Sequence, residues 1–274
     1  MRLAAGIDPA DRPALNLTVD DRPANFDYLT SHKLDRWLRR LDTRWPGVHV
    51  DFAWTPDQIR PARGYIETLK RYNTGIVWHG FRRHVDHRRV FDLRGDLGDG
   101  CAMVARISRE FDVRFQPIMV FPFEAFGPES LPLLEGAGFL ATFASHLAPV
   151  GLWSPFPAFM DYSIPQHEQF AGLFPVLRRN SCRVLGRDRM LAHVLLNLPV
   201  IAVVHPDEVG LRRWPYPPLR QGSSSHCDNT LSLAAAWGLK PQSLEEIARD
   251  LRNRPQPTVI QPSELYNPSA RHAH

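Results

Sequence analysis

Short apolar runs, too brief to be helices, alternate along this chain with longer segments whose apolar residues recur at helical spacing. Leu15, Leu17 and Val19 form the first run, which ends at Asp20-Asp21. Ser31 then caps a helix with Leu34, Trp37, Leu38 and Leu41 on one face, and Pro46-Gly47 stops it. Residues 48–54 read as a second strand. Thr55-Pro56 reads as the cap and first-turn proline of a second helix bearing Ile59, Ile66 and Leu69, and residues 75–78 as a third strand running into His79. Runs at 116–121, 139–143, 174–177 and 200–204 continue the series, with helices expected at 128–135 and 188–196. Strands and helices that alternate in this way specify a mostly parallel sheet with helices outside it, so an α/β fold built as a distorted (β/α)7 barrel is expected.

The 274 residues, 43% of them hydrophobic, can bury one full core. The reading is a single catalytic domain over 1–274. The barrel takes residues 14–207, a helical extension 208–253 with helices at 230–237 and 244–251, and a loose tail 254–274. Residues 148–175 are rich in proline and aromatics without periodicity and read as a long loop at the active site. A formal charge of +4, with basic residues scattered along the chain, argues against a nucleic-acid partner. Cys101, Cys182 and Cys227 are odd in number and far apart, which argues against a disulfide framework or a cysteine zinc site. The first residues reach charge and proline before any long apolar run, and no later stretch approaches the roughly 20 apolar residues of a membrane helix. The expectation is a cytoplasmic protein with no membrane span.

Three polar clusters fall at the carboxyl ends of expected strands: Asp20-Asp21, His79 with His84 and His87, and His205. In parallel barrels the strand carboxyl ends form one mouth, so these distant segments can converge on one pocket. A carboxylate and two imidazoles suit zinc or another first-row divalent ion and leave a coordination position open for water. Adjacent aspartates diverge on an extended segment, so one can ligate while the other serves as general base. A separate histidine can protonate a departing nitrogen, which leaves poorly as an anion.

Leu17-Thr-Val-Asp-Asp21 resembles the first motif, T-F-D-D-G, of the polysaccharide deacetylases, the group that includes carbohydrate esterase family 4. Trp78-His-Gly-Phe-Arg-Arg-His84 resembles the second, H-[ST]-x-x-H. Phe121-Pro-Phe123 stands where the third, R-x-P-Y-G, is expected, and Val203-Val-His-Pro-Asp207 resembles the last. The resemblance implies metal-dependent removal of an N-acetyl group from a sugar or sugar conjugate. Asp20 would be the catalytic base, Asp21, His79 and His84 the metal ligands, zinc the first candidate ion, metal-bound water the nucleophile and His205 the acid. His84 stands one residue later than the motif requires, and His87 is the alternative ligand. Asp161 is expected to orient His205, and Phe121, Pro122 and Trp153 to touch the N-acetylated carbohydrate. The third motif's arginine, which orients the base in relatives, has no counterpart, and Arg22 replaces the first motif's glycine. Other functions consistent with the same residues are an amidase or imidase acting on a non-sugar substrate, and an inactive carbohydrate-binding member.

Overall fold

The computed structural model describes residues 12–20, 31–58, 63–85, 87, 90–124, 126, 129–145, 167–170, 174–182, 185–206, 209 and 223–253. Its strands are β1 (Ala14–Asp20), β2 (Val50–Trp54), β3 (Thr74–His79), β4 (Phe115–Val120), β5 (Ala141–Ser145), β6 (His167–Phe170), β7 (Phe174–Ser181), β8 (Val200–Val204) and the two-residue β9 (Lys240–Pro241). Parallel pairings run from β1 through β2, β3, β4, β5, β7 and β8 and return to β1, closing the expected seven-stranded ring. Each of the seven runs identified in the sequence is one of these strands. β9 pairs parallel with the start of β1. β6 pairs antiparallel with β7, so part of the segment expected to be loop is strand.

The period of two along each strand sorts side chains into two layers. Leu15, Leu17 and Val19 of β1, Val50 and Phe52 of β2, and Ile76 and Trp78 of β3 belong to the larger apolar cluster. The same cluster takes in the buried faces of α1 (Ser31–Arg44), α2 (Arg63–Lys70), α3 (Leu93–Phe111), α4 (Ser130–Gly136), α5 (Arg187–Leu195) and α6 (Ser223–Ala236). The alternate positions, among them Ala53, Val77, Ile118, Val120, Phe143 and Ile201, form a second cluster inside the ring.

That inner cluster is completed by Leu244, Ile247, Ala248 and Leu251 of α7 (Leu244–Asn253), so the last helix is a plug at the amino-terminal end of the barrel. Its start is secured twice. Ser243 and Glu246 form a reciprocal capping box, with Ser243 N–H donating to Glu246 Oε2 at 2.7 Å and Glu246 N–H to Ser243 Oγ at 3.2 Å. The barrel floor supplies further acceptors: Leu244 N–H donates to Asp51 Oδ2 at 2.8 Å and Glu245 N–H to Gln116 Oε1 at 2.9 Å.

Two local readings are corrected. Thr55-Pro56 opens only a short 3-10 turn at Pro56–Gln58, and the α-helix begins at Arg63. The 19-residue α3 has no clear signature in the sequence, because Gly95, Gly98 and Gly100 depress helix propensity across its first half. Gly100 has a packing reason: a Cβ there would fall 1.8 Å from the Phe81 carbonyl oxygen. Glycine thus lets α3 press against the loop after β3, which carries His84. Among the described residues no helix is long and apolar enough to cross a membrane.

Candidate active site

The inward row of β1 runs Asn16, Thr18, Asp20, and that of β3 runs Gly75, Val77, His79, so Asp20 and His79 both enter the ring at its carboxyl mouth. His205 follows the inward Val203 of β8 by two residues and is exposed. Asp20 and His79 are 7% and 3% exposed. These three expected residues therefore share one end of the barrel.

Asp20 has a partner that the motif reading missed. Arg179 Nη1 donates to Asp20 Oδ1 at 2.5 Å, and both side chains are almost wholly buried. Burial alone would raise the Asp20 pKa. The Arg179 guanidinium overrides it, helped by His79 and His205, and lowers the value to about 2. Ending the strand at Leu177 hid this residue. β7 continues to Ser181, and in register Phe143 faces Leu177 and Ser145 faces Arg179, so Arg179 continues the inward row. The usable signal was the period of two, carried one step past the apolar run.

His79 is held in the state a metal ligand needs. Burial lowers its pKa to about 3, which keeps the imidazole neutral. Nδ1–H donates to the Val120 carbonyl at 3.0 Å, which leaves the Nε2 lone pair available; this tautomer is assigned from the hydrogen-bond network. The His84 ring lies 5.0 Å from that of His79, centroid to centroid. His87 is engaged elsewhere: it is fully buried, its Nε2 accepts from Phe81 N–H at 3.1 Å, and its ring packs against Phe81 and Phe121.

The loop bearing His84 is braced against α3. Arg82 pairs with Asp99 at 2.6 Å and Arg83 with the buried Asp96 at 3.3 Å. Gly80 adopts φ +88°, and a Cβ there would lie 2.7 Å from the Arg83 carbonyl oxygen.

Among the described residues no three His, Cys, Asp or Glu side chains form a set that could hold a metal ion. The imidazoles of His79 and His84 fit such a role in donor type, and that of His79 in protonation as well, while the third expected ligand, Asp21, lies outside the described residues. Asp161 and Trp153 lie outside them as well. Phe121, expected to touch the substrate, is fully buried, stacked on Phe126 at 4.8 Å, and belongs to the core beneath the mouth. Pro122 is also buried, while Phe123 beside it is 59% exposed.

A closed ring of seven parallel strands, with an arginine-held carboxylate and histidines at its carboxyl mouth, defines a (β/α)7-barrel protein with a polar mouth. Among solved structures, the fold matches a Mycobacterium smegmatis protein whose name assigns it to the polysaccharide deacetylases. The TM-score is 0.58 at 14% identity, covering 90% of this chain and 92% of that one. The barrel is therefore of the polysaccharide deacetylase type. It also matches 4-alpha-glucanotransferase from Thermococcus litoralis, with a TM-score of 0.55 at 12% identity, over 87% of this chain and 40% of that one. A further match, with a TM-score of 0.49 and 13% identity over 86% of this chain, is a CE4 family pseudoenzyme from Bacillus anthracis, of which this chain spans 66%. No family model matches the sequence, and no curated protein matches it.

Proposed function

We propose that this chain is a hydrolase of the deacetylase type that removes an N-acetyl group from a sugar or sugar conjugate. The observation that carries this reading is the meeting of Asp20, Arg179, His79 and His205 at one mouth of the barrel. Asp20 holds the attacking water and takes its proton, and Arg179 keeps the carboxylate ionised and aimed. His205, fixed at the end of a buried strand, gives a proton to the departing nitrogen, so that amide and water become amine and acetate. His79 and His84, with Asp21, would hold a divalent ion, zinc being the first candidate. The chemistry supplied when it is bound is Lewis-acid polarisation of the carbonyl and acidification of the attacking water.

One observation favours a second reading. The buried ion pair with Arg179 ties up the Asp20 carboxylate and weakens it as a proton acceptor, an arrangement that an inactive carbohydrate-binding protein could keep. Acetate release from N-acetylated oligosaccharides, measured together with metal content, decides between the two. Release with bound metal supports the deacetylase, whereas sugar binding without release supports the second reading. Turnover confined to non-sugar amides would assign the chain to amidase or imidase chemistry.

His205→Ala is expected to retain metal and slow amide hydrolysis by about 100-fold to 10,000-fold, the usual span for general acid catalysis. Hydrolysis of 4-nitrophenyl acetate, whose leaving group needs no proton, should fall much less. Equal losses on both substrates would remove His205 from the acid role.

A further inference from the structure

Arg83 stands where the second motif places its histidine, and His84 follows it. The structure sends the two side chains different ways. The His84 ring lies beside that of His79, with 5.0 Å between centroids, whereas Arg83 is held on α3, its Nε donating to Asp96 Oδ1 at 3.3 Å. The Arg83 carbonyl accepts from Val85 N–H at 3.0 Å, so His84 is the central residue of a three-residue turn. Consecutive side chains outside a helix point to different sides, and the anchoring of Arg83 therefore decides which way His84 faces.

That anchor is costly. Asp96 is 6% exposed, and its Oδ2 has no hydrogen-bond partner among the described residues. Burial pushes its pKa up against the pull of Arg83 and Arg82. A buried carboxylate that spends one oxygen on a half-exposed arginine adds little to stability, because desolvation offsets the attraction. Departures of this kind from good burial are expected where a site needs them. The rest of the loop is tied without Asp96. Gly80 N–H donates to the Val120 carbonyl at 3.0 Å and Phe81 N–H to His87 Nε2 at 3.1 Å, while the Arg82 carbonyl accepts from Asp57 N–H at 3.0 Å. Arg82 itself pairs with Asp99. Asp96 thus acts on one residue of the loop, the one before His84.

We infer that Asp96 is a positioning residue that sets the register of this loop: it holds Arg83 on α3, so that His84 is the residue turned to His79. This rests on the reading in which His79 and His84 hold a divalent ion. Two histidines that share an ion must keep their spacing, and removing a group that orients such ligands typically costs about 10- to 100-fold in metal affinity.

The test is calorimetric titration of the metal-free full chain with zinc, together with the NMR signals of the His79 and His84 rings. Asp96→Leu is expected to weaken zinc binding by about 10- to 100-fold. It should also move the His84 ring signals of the metal-free protein while those of His79 stay in place. Its Tm should remain within about 3 °C of the parent or rise, since the change removes an incompletely paired buried carboxylate and the half-exposed Arg83 can hydrate. Arg83→Met should lose as much affinity as Asp96→Leu, and the two changes together no more than either alone. Unmoved His84 signals in Asp96→Leu would overturn the inference. So would a Tm fall of about 6 °C or more in that variant, the mark of a packing role. A parent that binds no zinc but whose His84 signals still depend on Asp96 would sink the metal reading and leave the positioning role standing. Zinc binding that is equally tight in the parent and both single variants would do the reverse.

Discussion

Arg179→Met is expected to destabilise the fold by about 3–5 kcal/mol and to slow amide hydrolysis by at least about a hundredfold. The variant leaves the Asp20 carboxylate buried without its guanidinium, the costly way to break a buried ion pair. Asp20→Asn makes the complementary change by removing the carboxylate charge from Arg179, and it also removes the base. Asp20→Asn combined with Arg179→Met deletes both charges, so its stability should lie well above the sum of the single losses while turnover stays absent. Urea unfolding of the four proteins measures this coupling, and additive losses would show that the two residues act independently. The pair's contribution also has a pH window. The Asp20 pKa is depressed from 3.8 to about 2 on folding. The stabilisation is thus present above pH 3.8 and fades as pH falls through about 2. The gap between parent and Arg179→Met should narrow over that interval.

Asp51→Ala is expected to cost about 4–6 kcal/mol, although the residue lies at the end of the barrel away from the mouth. Asp51 is fully buried. Its Oδ2 accepts from Asn16 Nδ2 at 2.7 Å and from Leu244 N–H at 2.8 Å, while its Oδ1 accepts from Gln116 Nε2 at 2.5 Å. His49 Nε2 lies 3.1 Å from the same Oδ1. Burial lowers the His49 pKa, but the hydrogen bonds its ring donates to Asp51 and Asn73, with the Asp51 charge, outweigh it and the net shift is upward. Alanine would strand these buried donors and loosen α7 from the floor. Asp51→Asn should not rescue the loss, because its amide nitrogen would face N–H donors whichever way it is turned. Thermal or chemical unfolding reads the effect, and a change below about 2 kcal/mol would show that the network is replaceable.

The ring of strands was legible because each strand is a short apolar run bounded by turn residues, and such a run can bury both faces only within a covered parallel sheet. The mouth was legible for a related reason. In a parallel barrel the residue ending a strand is committed to one end, so Asp20, His79 and His205 were placed together before any contact was known. Arg179 was not legible as a partner of Asp20, because 159 residues separate the two and only barrel closure brings β7 round towards β1 through β8. The choice between His84 and His87 was likewise left open by spacing. Tertiary packing lays His87 between Phe81 and Phe121 and leaves His84 beside His79.

The helices divide in the same way. α1 announced itself through its cap and its apolar stripe, whereas α3 carries three glycines that argue locally against a helix and that tertiary contact requires at Gly100. The apolar face of α7 could be read as amphipathic from the sequence, but not as the plug of the barrel, since an apolar stripe does not specify what covers it. The sequence by itself determined which residues lie inside, which end of each strand carries chemistry and how the elements alternate, because burial and the period of two are local properties. Tertiary structure alone decided which charge meets which, which histidine joins the pocket and which helix closes the floor, because those depend on distances that only the closed ring establishes.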